Sequence, residues 1–474
     1  MRSICSLVFS ALVLGLAASE LRVDSIRWVP ADGAPDRVRL HLSWANAWHT
    51  TRSHDAAWLF LRYSGHEASG HVSVPVTLAE KGHGILGGPA GTRLQLAPEG
   101  VGLWVIPPPD HQGAMACSVE LLLDDAVLKD RVGHELDARW LKAFGVEMVL
   151  VPEGPFWLGD PSERGAEEGA FHLAGGEGPN PPYRVDREAA GIPIGTGPGA
   201  LAYSSHPMGY HGDGQGPIPA AWPKGVHGFY CMKYEMRQGE YATFLNDIGA
   251  DTTHVRSNIG SSDYAEHGGS MRYRDGFFVA EHPERACVFL TWNDQLAFAD
   301  WACLRPMTEF EFEKACRGPG EPLPLEYPWN TSDRDALLRL LDPTRALVWD
   351  GGLQESDFGP LDGGRSGASH YGILDLSGNV WERCITVGDS LGRAFKGTHG
   401  DGVLGPSATA TNADWPVGDQ DAPGIGYRGG AYYGKEEPHG NTNPYSPIGY
   451  RTYAGWGGAF RYKTYGGRFV RTVP

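Results

Sequence analysis

The chain is 474 residues long, enough for two or three domains. Its 41% hydrophobic and 20% charged residues are those of a folded protein, and 66 glycines with 35 prolines favour turns and loops over long helices. A formal net charge of −17 argues against nonspecific nucleic-acid binding.

Residues 1–19 read as a secretory signal. Arg2 supplies the positive end, the run from Ile4 to Ala18 is nearly free of polar side chains, and Ala17-Ala18-Ser19 offers small residues for cleavage. The apolar run is short for a bilayer, and no second run of spanning length follows. The expectation is an exported protein without a transmembrane segment, periplasmic, cell-surface or extracellular; an uncleaved N-terminal anchor is the alternative. Once Cys5 leaves with the signal, Cys117, Cys231, Cys287, Cys303, Cys316 and Cys384 remain. An even count in an exported chain permits three disulfides, whose pairing the spacing does not choose; free buried thiols are the other reading. No Cys-x-x-Cys pair is present, which argues against a structural zinc site.

From residue 20 to 145 apolar residues fall two apart: Val38, Leu40, Leu42 and Trp44; Val72, Val74, Val76 and Leu78; Val101, Leu103 and Val105; Val119, Leu121 and Leu123. Period two puts each set on one face of a strand, and turn groups such as Gly87-Gly88-Pro89 separate them, so this stretch predicts an all-β, sandwich-like domain. A second unit, 146–474, begins with Val149-Leu150-Val151-Pro152-Glu153-Gly154-Pro155-Phe156-Trp157-Leu158-Gly159. Residues 160–225, rich in Gly, Pro, Ala and charge, predict a loop insertion.

Three helices are expected. One covers Glu240 to Asn246, after Phe229-Tyr230-Cys231-Met232-Lys233-Tyr234-Glu235. The others open at Thr291 with Asp294 and at Thr308 with Glu311, pairs spaced as capping boxes, and Phe312 and Ala315 mark the inner face of the third. Beyond Cys384 the chain is Gly- and aromatic-rich with little periodicity.

Four segments carry a resemblance: Arg305-Pro306-Met307-Thr308-Glu309-Phe310-Glu311-Phe312-Glu313-Lys314-Ala315-Cys316-Arg317-Gly318, Tyr371-Gly372-Ile373-Leu374-Asp375-Leu376-Ser377-Gly378-Asn379-Val380-Trp381-Glu382-Arg383, Arg428-Gly429-Gly430, and Gly467-Arg468-Phe469-Val470-Arg471. In this order they resemble the sulfatase-modifying-factor (formylglycine-generating-enzyme-like) family. The resemblance implies an α+β, C-type-lectin-like domain with few short helices. It also implies calcium held by the side chains of Asp375 and Glu382 and the carbonyls of Gly378 and Val380, a hard-oxygen set suited to that ion. In active relatives two cysteines close behind Gly-Gly-Ser hold copper(I). Here Gly429-Gly430 is followed by Ala431-Tyr432-Tyr433-Gly434-Lys435-Glu436-Glu437-Pro438, so the serine and both thiols are gone, and copper and catalytic residues are not expected. No Gly-x-Ser-x-Gly elbow, His-Glu-x-x-His or phosphate-loop motif replaces them.

From Tyr427 to Tyr465 there are eight tyrosines, and from Tyr427 to Arg468 six basic residues face two acidic ones. Tyrosine and arginine are favoured at recognition surfaces. Tyr432, Tyr433, Arg451, Tyr453, Trp456 and Arg461 are therefore candidate ligand-binding residues, for an anionic or glycan ligand or a protein partner. The leading expectation is an exported, non-catalytic binding module of the cell envelope or extracellular space. The alternatives are a sulfatase-modifying oxidase that converts a cysteine to formylglycine, and a structural envelope subunit that self-associates.

Overall fold

The computed structural model describes residues 21–29, 36–67, 70–133, 136–204, 211–333, 336, 340–341, 347–348, 366–432 and 446–474. The signal-like residues 1–19 lie outside them. The chain divides into two compact units, one of residues up to Thr51 with Asp55–Glu147, the other of Arg52–His54 with Met148–Pro474.

In the first unit, strands Arg22–Val29, Arg37–Trp48, Gln112–Leu122 and Gly84–Gly87 form one antiparallel sheet in that order. Strand Asp55–Glu67 pairs with Gly70–Val76 and with Leu103–Ile106, which in turn pairs with Arg93–Leu96. The core draws Val38, Leu40, Leu42, Trp44, Val119 and Leu121 from the first set and Ala57, Leu59, Leu61, Leu103 and Val105 from the second. The period-two residues of strand Arg37–Trp48 are thus the buried ones, as alternation requires. Strand Asp55–Glu67 was not foreseen. Its residues 55–64 are all buried, so the sequence runs apolar without alternating. Asp55, buried within it, accepts from the backbone N–H of Trp48 at 3.1 Å and from Trp44 Nε1 at 3.3 Å.

The second unit is mixed and sheet-rich. The Met148–Val151 stretch pairs antiparallel with strand Phe229–Met232, which pairs with the C-terminal strand Phe469–Thr472, which pairs with Arg305–Pro306. A smaller sheet places Trp381–Ile385 between Ile425–Arg428 and Tyr465–Gly466. The three expected helices are Gln238–Asp247, Trp292–Trp301 and Glu309–Arg317. Both Thr-led capping boxes form: Thr291 Oγ1 accepts from Asp294 N at 3.0 Å and Thr308 Oγ1 from Glu311 N at 3.2 Å, each acid reaching back to its threonine N–H.

The described part of the 160–225 stretch is mostly irregular chain carrying a few short elements. It holds helix Glu163–Glu167 and the short strands His172–Leu173, Tyr183–Val185 and Leu201–Ala202. Polar anchors order it rather than an apolar period. Asp160 Oδ2 accepts from Leu325 N at 2.8 Å, and the Glu188 carboxylate accepts from the backbone N–H groups of Lys224, Val226 and His227. Among the described residues no helix is long and apolar enough to cross a membrane.

Candidate binding and metal site

Helix Glu309–Arg317 is buried on every side, including Glu309, Glu311, Glu313, Lys314 and Arg317, so Phe312 and Ala315 share the interior with charge. Buried charges persist when they are paired and hydrogen-bonded. Arg428 donates from Nη1 to Glu309 at 3.1 Å and from Nη2 to Glu313 at 2.5 Å, while Arg317 pairs with Glu326 at 2.6 Å. Arg451 donates to both oxygens of Glu309, at 2.8 and 3.1 Å, and to the carbonyls of Gly169 and His211. Its guanidinium carbon lies 3.9 Å from the ring centre of Phe171 and 4.4 Å from that of Tyr203. Burial opposes ionisation of Glu309, but Arg451 and Arg428 outweigh it and hold the carboxyl below its usual range. Gly429 and Gly430, at φ +89° and +82°, turn the chain away from this network, and a Cβ at Gly429 would sit 3.1 Å from the Leu376 carbonyl.

The 375–382 loop is tightly coiled, with left-handed residues at Asp375, Gly378 and Asn379. It wraps a carboxylate that sequence reasoning missed. Glu235 accepts from Val380 N at 3.1 Å and from the Asn379 side chain. Glu382 accepts from Arg468 Nε at 2.9 Å, while its second oxygen, buried, has no hydrogen-bond partner. Burial first, then the charges of Asp375 and Glu382, push Glu235 well above the ordinary carboxylate range; burial likewise raises Glu382. An orphaned carboxylate oxygen amid excess negative charge is the chemistry a hard cation relieves. Among the described residues, no group of three or more His, Cys, Asp or Glu side chains is arranged to hold a metal ion. The donor set implied by the resemblance has only two side chains, Asp375 and Glu382, beside the carbonyls of Gly378 and Val380.

The open Tyr/Arg face expected at the C-terminal end is corrected in part. Arg451 is 0% exposed and committed to Glu309, and Tyr432 is 7% exposed with its hydroxyl on the Lys463 carbonyl at 3.1 Å. Neither faces solvent as a ligand contact, because each satisfies a buried partner. Arg461 keeps 30% of its side chain exposed but pairs with Asp294 and donates to the Val255 carbonyl at 2.7 Å. Tyr453 and Trp456 are half-buried, and the Tyr453 ring lies 5.5 Å from that of Trp381. Tyr433 and Gly434 lie outside the described residues. The organising cation of the segment is one not singled out, Arg383. It packs against the rings of both Tyr427 and Tyr465 and donates to Tyr427 Oη, Leu290 O and Phe460 O.

All six described cysteines are buried, and none of them is in a disulfide. Burial pushes the thiols of Cys117 and Cys231 up to about 12, and raises those of Cys287, Cys316 and Cys384 as well.

A mixed domain of short helices and sheets, knitted by arginines that follow from the Arg-Gly-Gly and Gly-Arg-Phe motifs, defines the class. Residues 142–428 match the profile of the sulfatase-modifying factor enzyme 1-like (FGE-sulfatase) domain, and the chain belongs to that family. The chain is 26% identical over 276 residues to the formylglycine-generating enzyme of Mus musculus, covering 46% of this chain and 71% of the relative. Against the formylglycine-generating enzyme of Thermomonospora curvata it is 32% identical over 117 residues, 23% of this chain and 36% of the relative. It is also 28% identical over 171 residues to the inactive C-alpha-formylglycine-generating enzyme 2 of Mus musculus, 32% of this chain and 51% of the relative.

Proposed function

We propose that the protein is an exported, non-catalytic member of its family, a ligand- or partner-binding module on a C-type-lectin-like scaffold stiffened by calcium at Asp375, Gly378, Val380 and Glu382. The observation that carries the non-catalytic reading is the chemistry behind Gly429-Gly430. Ala431 and Tyr432 follow, both buried, and no cysteine occurs after Cys384. Cys231, Cys287, Cys316 and Cys384 all lie earlier in the chain and are buried, so none stands in for the cysteine pair behind Gly-Gly. A relative that carries the word inactive in its name shows that loss of activity has a counterpart in the family. Calcium is supported by the orphaned Glu382 oxygen and the crowding of Glu235 with Asp375 and Glu382. Among the described candidates, Tyr453, Trp456 and Arg461 are the ones with partly exposed side chains that a ligand could reach.

Similarity over 71% of the length of the mouse formylglycine-generating enzyme favours the rival reading, a sulfatase-modifying oxidase. One assay separates the two. The purified protein is incubated with copper, oxygen and a cysteine-containing sulfatase-type peptide, and the peptide is read by mass spectrometry. No aldehyde is expected; its formation in a preparation free of host enzyme would establish the oxidase.

A further inference from the structure

Away from these residues, the bend at 152–155 borders a cavity of about 480 Å³, within the volume range of small-ligand sites. Three cations line it, Arg52, Arg184 and Lys314, against one carboxylate, Glu153. That is an unusual concentration in a chain of net charge −17. Arg52 is exposed and donates from Nη1 to the His370 carbonyl at 3.1 Å, which fixes its reach at the rim. Arg184 is exposed, lies 5.5 Å from the ring centre of half-buried Trp157, and pairs with Asp186 at 2.9 Å. Both members of that pair are more than half exposed, so it is weak and a ligand carboxylate competes with it.

Lys314 stands behind the wall. Its ammonium donates to the carbonyls of Pro152 and Gly225 at 2.5 and 2.6 Å, so it adds positive potential without touching a ligand. Burial pulls it down to about 8, which leaves it mostly charged at neutral pH. His370, which also lines the cavity, is brought down to about 4 by burial and by Arg52. At neutral pH its imidazole is uncharged and able to donate to or accept from a hydroxyl.

We propose that this cavity binds a carboxylated saccharide of one or two sugar units. Planar guanidinium forks at Arg52 and Arg184 match a carboxylate, the apolar surface of Trp157 matches a sugar-ring face, and neutral His370 matches a hydroxyl. The site shares no residue with the proposed binding segment or the calcium loop, so either stands if the other fails.

The test is isothermal titration of the full chain with digalacturonate, with a neutral galactose disaccharide and benzoate as comparison ligands. Digalacturonate should bind saturably, and both comparison ligands at least tenfold more weakly. Arg52→Ala and Arg184→Ala should each weaken binding tenfold or more, and Arg52→Lys, which keeps the charge but loses the fork, several-fold. Melting temperatures should not change, since both arginines are on the surface. Absent digalacturonate binding, equal binding of the neutral disaccharide, or unaffected variants would overturn the site. Benzoate binding as tightly as digalacturonate would overturn the saccharide assignment.

Discussion

Replacing Arg451 by alanine distinguishes a framework arginine from a ligand-facing one by magnitude alone. A solvent-exposed arginine truncated to alanine changes stability by no more than about 0.5 kcal/mol. Arg451 is instead 0% exposed, donates to both Glu309 oxygens and to two carbonyls, and packs against the rings of Phe171 and Tyr203. Removing one partner of a buried pair costs about 3–5 kcal/mol, chiefly because the other charge is left behind. Glu309 keeps Arg428, which places the loss near the middle of that range, about 4 kcal/mol. At roughly 2 °C per kcal/mol for a unit of this size, calorimetry should show a melting temperature about 8 °C lower. The sign with pH follows from Glu309. Its carboxyl is held below the usual range, so its pairing stabilises above the unfolded pKa of about 4.3 and is lost as pH falls through the folded value. The gap between variant and wild type should therefore narrow in acid. A melt within about 1 °C of wild type at pH 7 would refute the framework role, since that is the shift of a surface residue.

Two further outcomes follow. If calcium occupies the 375–382 loop, chelator should lower the melting temperature of the second unit, by an amount on the order of 3 kcal/mol for an ion at a hundredfold excess over its Kd, and Asp375→Ala should abolish that sensitivity; identical melts with and without chelator would leave the loop as a plain turn. Burial, with Arg471 and Arg305 nearby, holds His399 well below its usual pKa, and burial brings His370 down to about 4. The unfolded chain thus takes up protons first as pH falls below about 6.5, and unfolding free energy should drop between pH 7 and about 5.5. The double variant His370→Gln, His399→Gln should flatten that slope, and an unchanged slope would refute the assignment.

How much was legible depended on whether a signal was local. The alternation of Val38, Leu40, Leu42 and Trp44 and the capping boxes at Thr291 and Thr308 depend on neighbours within a few residues, and each is present in the structure. Strand Asp55–Glu67 was missed because residues 55–64 are buried on both faces and leave no exposed polar face to mark the period. The anchors of the 160–225 stretch carry no local signal, because single acids such as Glu188 find backbone partners far along the chain. At the site, Asp375 and Glu382 announce themselves through a motif. Glu235, which the same loop wraps, sits 140 residues earlier, at the end of the strand-to-helix segment 229–235, where nothing local ties it to the loop.

Charge counting over the C-terminal segment misled for a related reason. Six basic residues against two acidic ones suggest a positive surface, yet the acidic partners of four of them lie elsewhere in the chain. Arg428 and Arg451 are neutralised by Glu309 and Glu313, Arg461 by Asp294, and Arg468 by Glu382. A local excess of charge in sequence becomes a field only where the fold leaves it uncompensated. At the 152–155 bend Arg52 and Arg184 are exposed, Lys314 backs them, Glu153 is the one carboxylate lining the cavity, and the Arg184–Asp186 pair is itself open to solvent. The cations at this bend are drawn from residues far apart in sequence, Arg52, Arg184 and Lys314, where no window of composition would register them.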